Sequence, residues 1–157
     1  MIEIERVTPE TFDTFFDLIT ALADFEKLPP PDEAARERLK ADAFKNPTRF
    51  EAYLAFKDNT PAAYCIIFET YSSFLAKPTL YLEDIFVLPE FRGQKIALEI
   101  MKFLADKALQ CGYGRMEWQV LDWNQDAINF YEKLGAKRMK EWFSYRITEE
   151  ELRHVVQ

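Results

Sequence analysis

The segment spanning residues 81–97 constrains the fold of this chain most, because it reads as a buried strand that turns sharply into a helix. Residues 81–87 are mostly apolar, and Gly93 lies in the turn that follows. The first N–H groups of a helix have no partner within the helix and, together with the helix dipole, they bind anions. Arg92 and Lys95 add positive charge at this point. The junction therefore predicts a phosphate site on an α/β fold.

The rest of the chain alternates between the periodicities of strands and helices. Strand patterns occupy residues 2–6, 50–56, 62–71, 79–87, 115–121 and 141–147. Helix patterns occupy a segment that begins at the cap Thr8 and runs to residue 25, then residues 32–44, 96–110 and 125–134, and a short terminal helix after Thr148. This order predicts a single α/β domain over residues 1–157, with a mixed, mostly antiparallel central sheet flanked by helices.

Composition and charge exclude several functions. The formal net charge of -7 argues against a general nucleic-acid binder or a protein that binds anionic membranes. No apolar run reaches membrane length, and the sequence predicts a cytoplasmic protein. Cys65 and Cys111 lack metal-ligand spacing, and His154 is the only histidine. We therefore expect no metal, and acid–base chemistry must come from Glu, Asp, Tyr, Cys or Lys.

Residues 92–97 resemble the Arg/Gln-x-x-Gly-x-Gly/Ala pyrophosphate loop of the GCN5-related N-acetyltransferase (GNAT) family. Arg92 and Ala97 fit this pattern. Lys95 stands where the family usually has Gly, which leaves two possibilities: the position needs no positive φ here, or the loop is slightly reshaped. A lysine at this position would also attract phosphate.

A second block, residues 121–136, resembles the later motif of the family, in which an Asn opens a helix and a Tyr lies near its end. Asn124 and Tyr131 occupy these positions. Three further segments resemble the diamine acetyltransferase branch, which includes the thialysine and the spermidine/spermine acetyltransferases: residues 22–28, 81–84 and 120–125. The resemblance covers most of the chain.

The resemblance implies that the sheet splays between the fourth and fifth strands and that acetyl-CoA lies in the opening. Backbone N–H groups of the fourth strand would polarise the thioester carbonyl. The positions that would bind the cosubstrate are Ile85, Phe86, Val87, Arg92, Gly93, Gln94, Lys95, Ile96, Ala97, Leu98, Asn124 and Tyr131.

Acetyl transfer to an amine requires a group that accepts a proton from the amine, and Glu83 is the predicted residue because it interrupts an apolar strand. Alternation places Glu83 on the face of Tyr81, Ile85 and Val87, where burial would raise its pKa. Asp84 would face the other side unless a bulge turns it. The alternative role for Glu83 is a structural ion pair with a neighbouring Arg or Lys.

Tyr131 matches the general acid of the family, which protonates the departing thiolate. Without the resemblance, a tyrosine near the end of an amphipathic helix would more often be a core aromatic residue. Asn124 is expected to bond the pantetheine arm of acetyl-CoA, to cap the helix, or to do both.

The resemblance assigns amine binding to Phe25, Glu26, Glu83 and Asp84. Ser73 replaces an Asp of the polyamine enzymes, which favours thialysine, a lysine-like amino acid or a short diamine over spermidine and spermine. The family also implies a homodimer. Two other functions stay open at this point: a protein or peptide N-acetyltransferase, and a non-catalytic acyl-CoA-binding regulator.

Overall fold

The computed structural model describes all 157 residues, which group into two compact units, residues 1–119 and residues 120–157. The first unit contains five strands and three helices. In chain order these are β1 (Ile2–Arg6), α1 (Phe12–Glu26), α2 (Glu33–Phe44), β2 (Glu51–Lys57), β3 (Thr60–Ser72), β4 (Lys77–Val87), α3 (Ile96–Gln110) and β5 (Arg115–Trp118). A 3-10 turn, Pro89–Phe91, joins β4 to the loop before α3.

The strands form one sheet in the order β1-β2-β3-β4-β5. The first three pairings are antiparallel, and β4 pairs with β5 in parallel. Asp58 and Asn59 link β2 to β3 with φ angles of 49° and 65°, the geometry that a two-residue hairpin loop requires. These pairings confirm the predicted mixed, mostly antiparallel sheet.

Helices cover both faces of the sheet. On one face α1 buries an aromatic stripe that includes Phe12 and Phe15, which packs with Tyr64 of β3 and Phe86 of β4. On the other face α3 packs against β3 and β4 and buries apolar residues such as Leu104. Two covered faces explain why β3 and β4 read as nearly continuous apolar runs.

The predicted start of α1 was wrong by one turn. The helix begins at Phe12 with Thr11 as the flanking residue, whereas residues 9–11 form a turn. The backbone N–H of Thr8 donates to the Thr11 hydroxyl at 2.9 Å, so Thr8 stabilises the turn and does not cap the helix. The cap at Asp32 is confirmed, because its carboxylate accepts from the N–H of Ala35 at 2.8 Å.

The second unit contains α4 (Gln125–Lys133) and α5 (Glu149–Val155). Thr148 and Glu151 form the predicted capping box at the start of α5. Gly135 follows α4 with φ 89°, and its N–H donates to the carbonyl oxygen of Glu132. This left-handed glycine ends α4 in the way that helix C-termini commonly end.

The strand predicted for residues 141–147 is not formed. Residues 142–147 have no regular backbone pairing, and the side chains of Trp142, Phe143 and Tyr145 are exposed. A strand needs a partner for its backbone hydrogen bonds, and a pattern of alternating side chains does not supply one. The fifth strand is also shorter than predicted, ending at Trp118 instead of residue 121.

Candidate active site

A β-bulge in β4 determines where the carboxylates of the site point. In the ladder between β3 and β4, Leu82 pairs with Ile67 and Asp84 pairs with Ile66, so Glu83 is an extra residue with no partner on β3. A bulge of this kind bends a strand and re-aims the side chains that follow it. The predicted alternation in this strand therefore fails at Glu83.

The bulge brings Asp84 to the face of the sheet that α1 covers. Asp84 pairs with Ile66, whereas Ile85 and Val87 pair with β3 residues whose side chains point to the opposite face. The expectation that Tyr81, Ile85 and Val87 share one face was wrong, as was the expectation that Glu83 is the buried carboxylate. Glu83 is exposed, and Asp84 is half-buried.

The sheet opens beside the bulge, as the resemblance implied. The pairing of β5 with β4 runs from Thr79 to Leu82 and then stops, while β4 continues to Val87. Residues 83–87 therefore have a neighbouring strand on the β3 side only. Peptide groups on their other side have no sheet partner, which is the arrangement that a ligand between splayed strands requires.

The direction of the Val87 peptide group follows from its neighbour. The N–H of Leu88 donates to Ala62 on β3 at 2.9 Å. Because successive peptide groups of a strand point to opposite sides, the N–H and C=O of Val87 face the opening. The Val87 carbonyl oxygen accepts a hydrogen bond from Arg92 Nε at 3.1 Å, which agrees with this direction.

Glu83 and Asp84 line an open pocket of about 450 Å³. Its wall is mainly apolar, and Arg49 is its one cationic residue. The apolar residues are Ile19, Pro31, Leu39, Phe50, Ile66 and Phe68. An apolar cleft of this size with a few charged groups is typical of a small-molecule site.

The carboxyl group of Asp84 has a strongly perturbed acidity. Burial and the negative charge of Glu83 raise the pKa of Asp84 to about 6, and Glu26 adds to the effect. The Tyr64 hydroxyl donates to Asp84 Oδ2 at 3.2 Å, which partly opposes the rise. At neutral pH Asp84 is mostly ionised, yet it binds a proton much more readily than an ordinary aspartate.

The end of α1 approaches the same region. Glu26 is half-buried and close enough to raise the pKa of both Asp84 and Tyr64. The ring of Phe25 lies 6.0 Å from that of Phe86, measured between centroids. The structure thus brings together the four residues predicted to bind the amine, because Phe25 and Glu26 end the helix that covers the Asp84 face.

The guanidinium group of Arg92 lies over aromatic rings, whereas a phosphate ligand was expected to have its guanidinium group directed to the anion. Its Cζ atom lies 4.6 Å from the ring centroid of Phe25 and 5.7 Å from that of Phe86. Together with the bond from Nε to Val87, these contacts hold the end of α1 against the open half of β4. Arg92 therefore connects the loop before α3 to the C-terminal end of α1.

The loop before α3 contains two residues in the left-handed backbone conformation. Gly93 has φ 76° and Lys95 has φ 66°, and α3 begins directly after Lys95. The position of Lys95 thus keeps the left-handed conformation that a glycine would adopt without strain. Gln94 Nε2 donates to the Glu90 carbonyl at 3.2 Å. Ile96 is buried, and the unpaired N–H groups of this first turn are the feature available to phosphate.

In the second unit, Asn124 and Tyr131 lie at the two ends of α4. The Asn124 side-chain oxygen accepts from the N–H of Ala127 at 3.3 Å, which confirms its capping role. Burial raises the pKa of Tyr131 to about 12. Its phenol is therefore fully protonated at neutral pH, the state that a proton donor needs.

Two residues that line or support the pocket were not singled out from the sequence. Tyr64 is fully buried and bonds Asp84, and Arg49 belongs to a loop before β2. Tyr64 looks like an ordinary strand residue until the bulge pairs Ile66 with Asp84. In the sequence, Arg49 is an isolated cation just before an apolar strand. That feature alone does not indicate a binding residue, because an exposed arginine at the start of a strand is common.

Comparison with known proteins agrees with this geometry. The model of the Acetyltransferase (GNAT) family matches residues 14–136. The chain is 35% identical to a thialysine N-epsilon-acetyltransferase of Mus musculus over 149 residues, which is 88% of this chain and 87% of the mouse protein. It is 41% identical over 98 residues to L-ornithine N5-acetyltransferase NATA1 of Arabidopsis thaliana, which is 62% of this chain and 43% of that protein.

A solved structure shares the fold. AAC(6')-Iy in complex with a bisubstrate analog, CoA-S-monomethyl-acetylneamine, matches with a TM-score of 0.76 at 18% identity, covering 94% of this chain and 99% of that one. The chain therefore belongs to the acetyltransferase (GNAT) family. It is an acetyl-CoA-dependent N-acetyltransferase. No helix in the structure combines the length and the apolar character needed to cross a membrane.

Proposed function

We propose that this enzyme transfers the acetyl group of acetyl-CoA directly to a primary amine of a small molecule, within a complex that holds both substrates. The acceptor is thialysine, a lysine-like amino acid or a short diamine. The observation that carries the proposal is the pair of adjacent carboxylates, Glu83 and Asp84, in an apolar pocket beside the open half of β4. The names of the mouse and Arabidopsis relatives support an acceptor with a side-chain amine.

Asp84, in place of Glu83, is the proposed base. The amine of such an acceptor is an ammonium ion at neutral pH and must lose a proton before its nitrogen can attack. Asp84 is ionised at that pH and, with a pKa of about 6, is a better proton acceptor than an ordinary aspartate. Glu83 and Glu26 hold the ammonium ion by charge, and Phe25, which packs on Phe86, contributes an apolar contact for the acceptor.

The Val87 N–H is the proposed donor to the thioester carbonyl. As the amine nitrogen bonds to the carbonyl carbon, negative charge develops on the carbonyl oxygen, and a fixed N–H group at the opening stabilises it. The C–S bond then breaks and Tyr131 gives its phenolic proton to the thiolate. The acetylated nitrogen releases its second proton to solvent, and the Tyr131 phenolate takes up a proton from solvent. Asn124 would bond the pantetheine arm through the part of its side chain that does not cap α4.

The pyrophosphate of acetyl-CoA is proposed to bind at the loop before α3. The N–H groups of residues 93–98 supply the donors there, and Arg92 and Lys95 supply positive charge. Ile85 and Phe86 contribute backbone and packing along the same opening.

An amine panel tests the acceptor class. The purified protein is incubated with acetyl-CoA and thialysine, lysine, a short diamine, spermidine or a mixed peptide pool, and products are identified by mass spectrometry. Acetylation of thialysine, lysine or the diamine supports the proposal. Labelling of peptides alone would replace it with protein acetylation.

Replacement of Tyr131 by Phe tests the proton donor separately. The variant should lower kcat far more than it lowers the affinity for acetyl-CoA, because the lost hydroxyl acts only as the C–S bond breaks. Phe130→Leu, at the neighbouring residue, controls for packing. Equal losses of kcat and acetyl-CoA affinity would contradict the role.

We further propose that the enzyme is a cytoplasmic homodimer in which residues 1–157 form one acetyltransferase domain. Exposure of Trp142, Phe143 and Tyr145 supports a second copy as partner, as does the position of β5 at the edge of the sheet. Sedimentation analysis should find a dimer. Replacing the three aromatic residues by Ser should shift it to monomer, and a monomeric parent protein would refute the dimer.

A further inference from the structure

The cationic residue of the amine pocket has no assigned role. Arg49 lines the same pocket as Glu83 and Asp84, although an arginine would repel the ammonium group that these carboxylates attract. In a pocket that binds only diamines, a cationic side chain would weaken binding by repelling the ligand. The presence of both charge signs indicates a ligand that itself carries both.

The contacts of Arg49 leave its recognition face available. Its Nε donates to Asp42 Oδ1 at 3.1 Å, and its backbone N–H donates to the Asp42 carbonyl oxygen at 3.2 Å. The structure gives no hydrogen bond or ion pair to the two terminal nitrogens, and 68% of the side chain is exposed. Lys45 Nζ also contacts Asp42 Oδ1, at 2.8 Å, so Asp42 is neutralised by a second cation besides Arg49.

The bond through Nε fixes the guanidinium plane and leaves the two terminal NH2 groups free. This pair of parallel donors matches the two oxygens of a carboxylate. Leu39, Phe50 and Phe68 line the same pocket, and their apolar side chains are suited to a chain of methylene groups.

We propose that Arg49 binds the α-carboxylate of an amino-acid acceptor whose side-chain amine lies at Asp84. Arg49 is then the residue that selects amino acids such as lysine, ornithine or thialysine over diamines of the same length. This inference rests on the proposed function and narrows it to one class of acceptor. It also sets the orientation of the acceptor in the pocket: the α-carboxylate of the acceptor lies at the loop before β2, and its side-chain amine lies at the bulge of β4.

Two acceptors that differ only in the carboxylate test the inference. Lysine and 1,5-diaminopentane carry the same terminal amine, but only lysine has a carboxylate. The parent enzyme should have the higher kcat/KM for lysine. Arg49→Met should lower kcat/KM for lysine by about 10- to 100-fold, the loss expected for a charge-assisted bidentate contact, and should change the value for the diamine by less than about twofold.

Two variants serve as controls. Arg38→Met removes an exposed arginine of α2 that does not line the pocket, and it should leave both values unchanged. Arg49→Lys keeps the charge but loses the paired donors, so lysine turnover should fall between those of the parent and Arg49→Met. Equal losses for both acceptors in Arg49→Met, or no loss for lysine, would overturn the inference.

Failure of the proposed function gives a different result. If the parent enzyme acetylates neither acceptor, the amine acetyltransferase assignment is wrong for this class. Calorimetric titration of lysine into the parent protein and into Arg49→Met then tests the contact alone. Equal binding, or no binding by either protein, overturns the carboxylate site, whereas weaker binding by the variant supports it.

Discussion

The two halves of β4 differ in what surrounds them. Residues 77–82 include the stretch from Thr79 to Leu82 that has strands on both sides, and Leu80 and Leu82 are buried there. Residues 83–87 have β3 on one side and an opening on the other, and they begin with two carboxylates. One strand thus holds the sheet together over its first half and carries the proposed chemistry over its second.

The comparison shows how a packed sheet can present reactive groups. A central strand with two partners has no spare peptide groups, and its side chains are occupied by packing. Once β5 ends, the Val87 N–H is released, and the bulge turns Asp84 into a half-buried pocket where its pKa rises. The proposed function of this strand therefore depends on where its regular pairing stops.

The largest expected effect comes from Asp84→Asn in the open half. The change keeps the shape of the side chain but removes the proposed base, so kcat/KM for the amine should fall about 10²- to 10⁴-fold. Glu83→Gln should instead raise the KM of the amine and lower kcat much less. Steady-state kinetics should be measured on both variants. A larger loss of kcat in Glu83→Gln than in Asp84→Asn would indicate that Glu83 is the base and that Asp84 binds the ammonium ion.

Leu82→Ala tests the paired half. Leu82 is 2% exposed, and its truncation should lower the free energy of unfolding by about 2–5 kcal/mol through lost burial and a cavity. Activity per folded molecule should change little, because the side chain contacts the core and not the pocket. Denaturant unfolding with activity measured at low temperature checks both. A loss of activity without a loss of stability would break the distinction between the two halves.

The stability of the protein should depend on pH through Asp84. The pKa is 3.8 for an ordinary aspartate and about 6 here, so the folded state binds the proton more tightly than the unfolded state. Between these values the folded state holds more protons, and stability is lost as pH rises. Relative to Asp84→Asn, the parent protein should lose about 3 kcal/mol between about pH 3 and pH 7. A constant difference between the two proteins would contradict the raised pKa.

Arg92→Met should weaken the link between the loop and α1. Methionine can still pack on Phe25, but it loses the charge over the ring and the bond to the Val87 carbonyl. We expect kcat/KM for the amine to fall by about tenfold. If only the affinity for acetyl-CoA falls in a binding titration, Arg92 acts on phosphate alone.

The smallest effect is expected from Lys95→Gly. Glycine adopts φ 66° without the steric cost that lysine has, but it also gains freedom in the unfolded chain. The net change in stability should stay within about 1 kcal/mol, and acetyl-CoA affinity should fall only modestly through the lost charge. Lys102→Gly, inside α3, is not equivalent and should destabilise by about 1 kcal/mol. A large loss of stability in Lys95→Gly would show that the side chain has a structural role.

Elements with strong local signals were predictable from the sequence. The bounds of α3 at Ile96 and Gln110 were predicted to the residue, since the apolar stripe and the glycines after it are local features. The caps at Asp32 and Asn124 were also predictable, because each depends on residues three positions away. The resemblance supplied the splayed sheet and the loop.

The remaining features depend on contacts that are distant in sequence. The bulge at Glu83 depends on the register between β4 and β3, and no pattern within β4 predicts it. The sequence therefore predicted the wrong one of the two carboxylates, Glu83 instead of Asp84, as the more buried. The strand predicted at residues 141–147 was wrong for a related reason, since a strand forms only when its backbone pairs with another strand, and alternating side chains do not supply that pairing.

The dependence of kcat/KM on pH tests the central claim most directly. If Asp84 takes the proton from a bound ammonium ion, kcat/KM for lysine in the parent enzyme should be level between about pH 6 and the pKa of the amine, about 10, and should fall below about pH 6. The Asp84→Asn variant can use only the fraction of acceptor whose amine is already deprotonated in solution. Its kcat/KM should therefore rise about tenfold per pH unit over the same range. Parallel profiles for the two proteins would contradict the claim that Asp84 is the base.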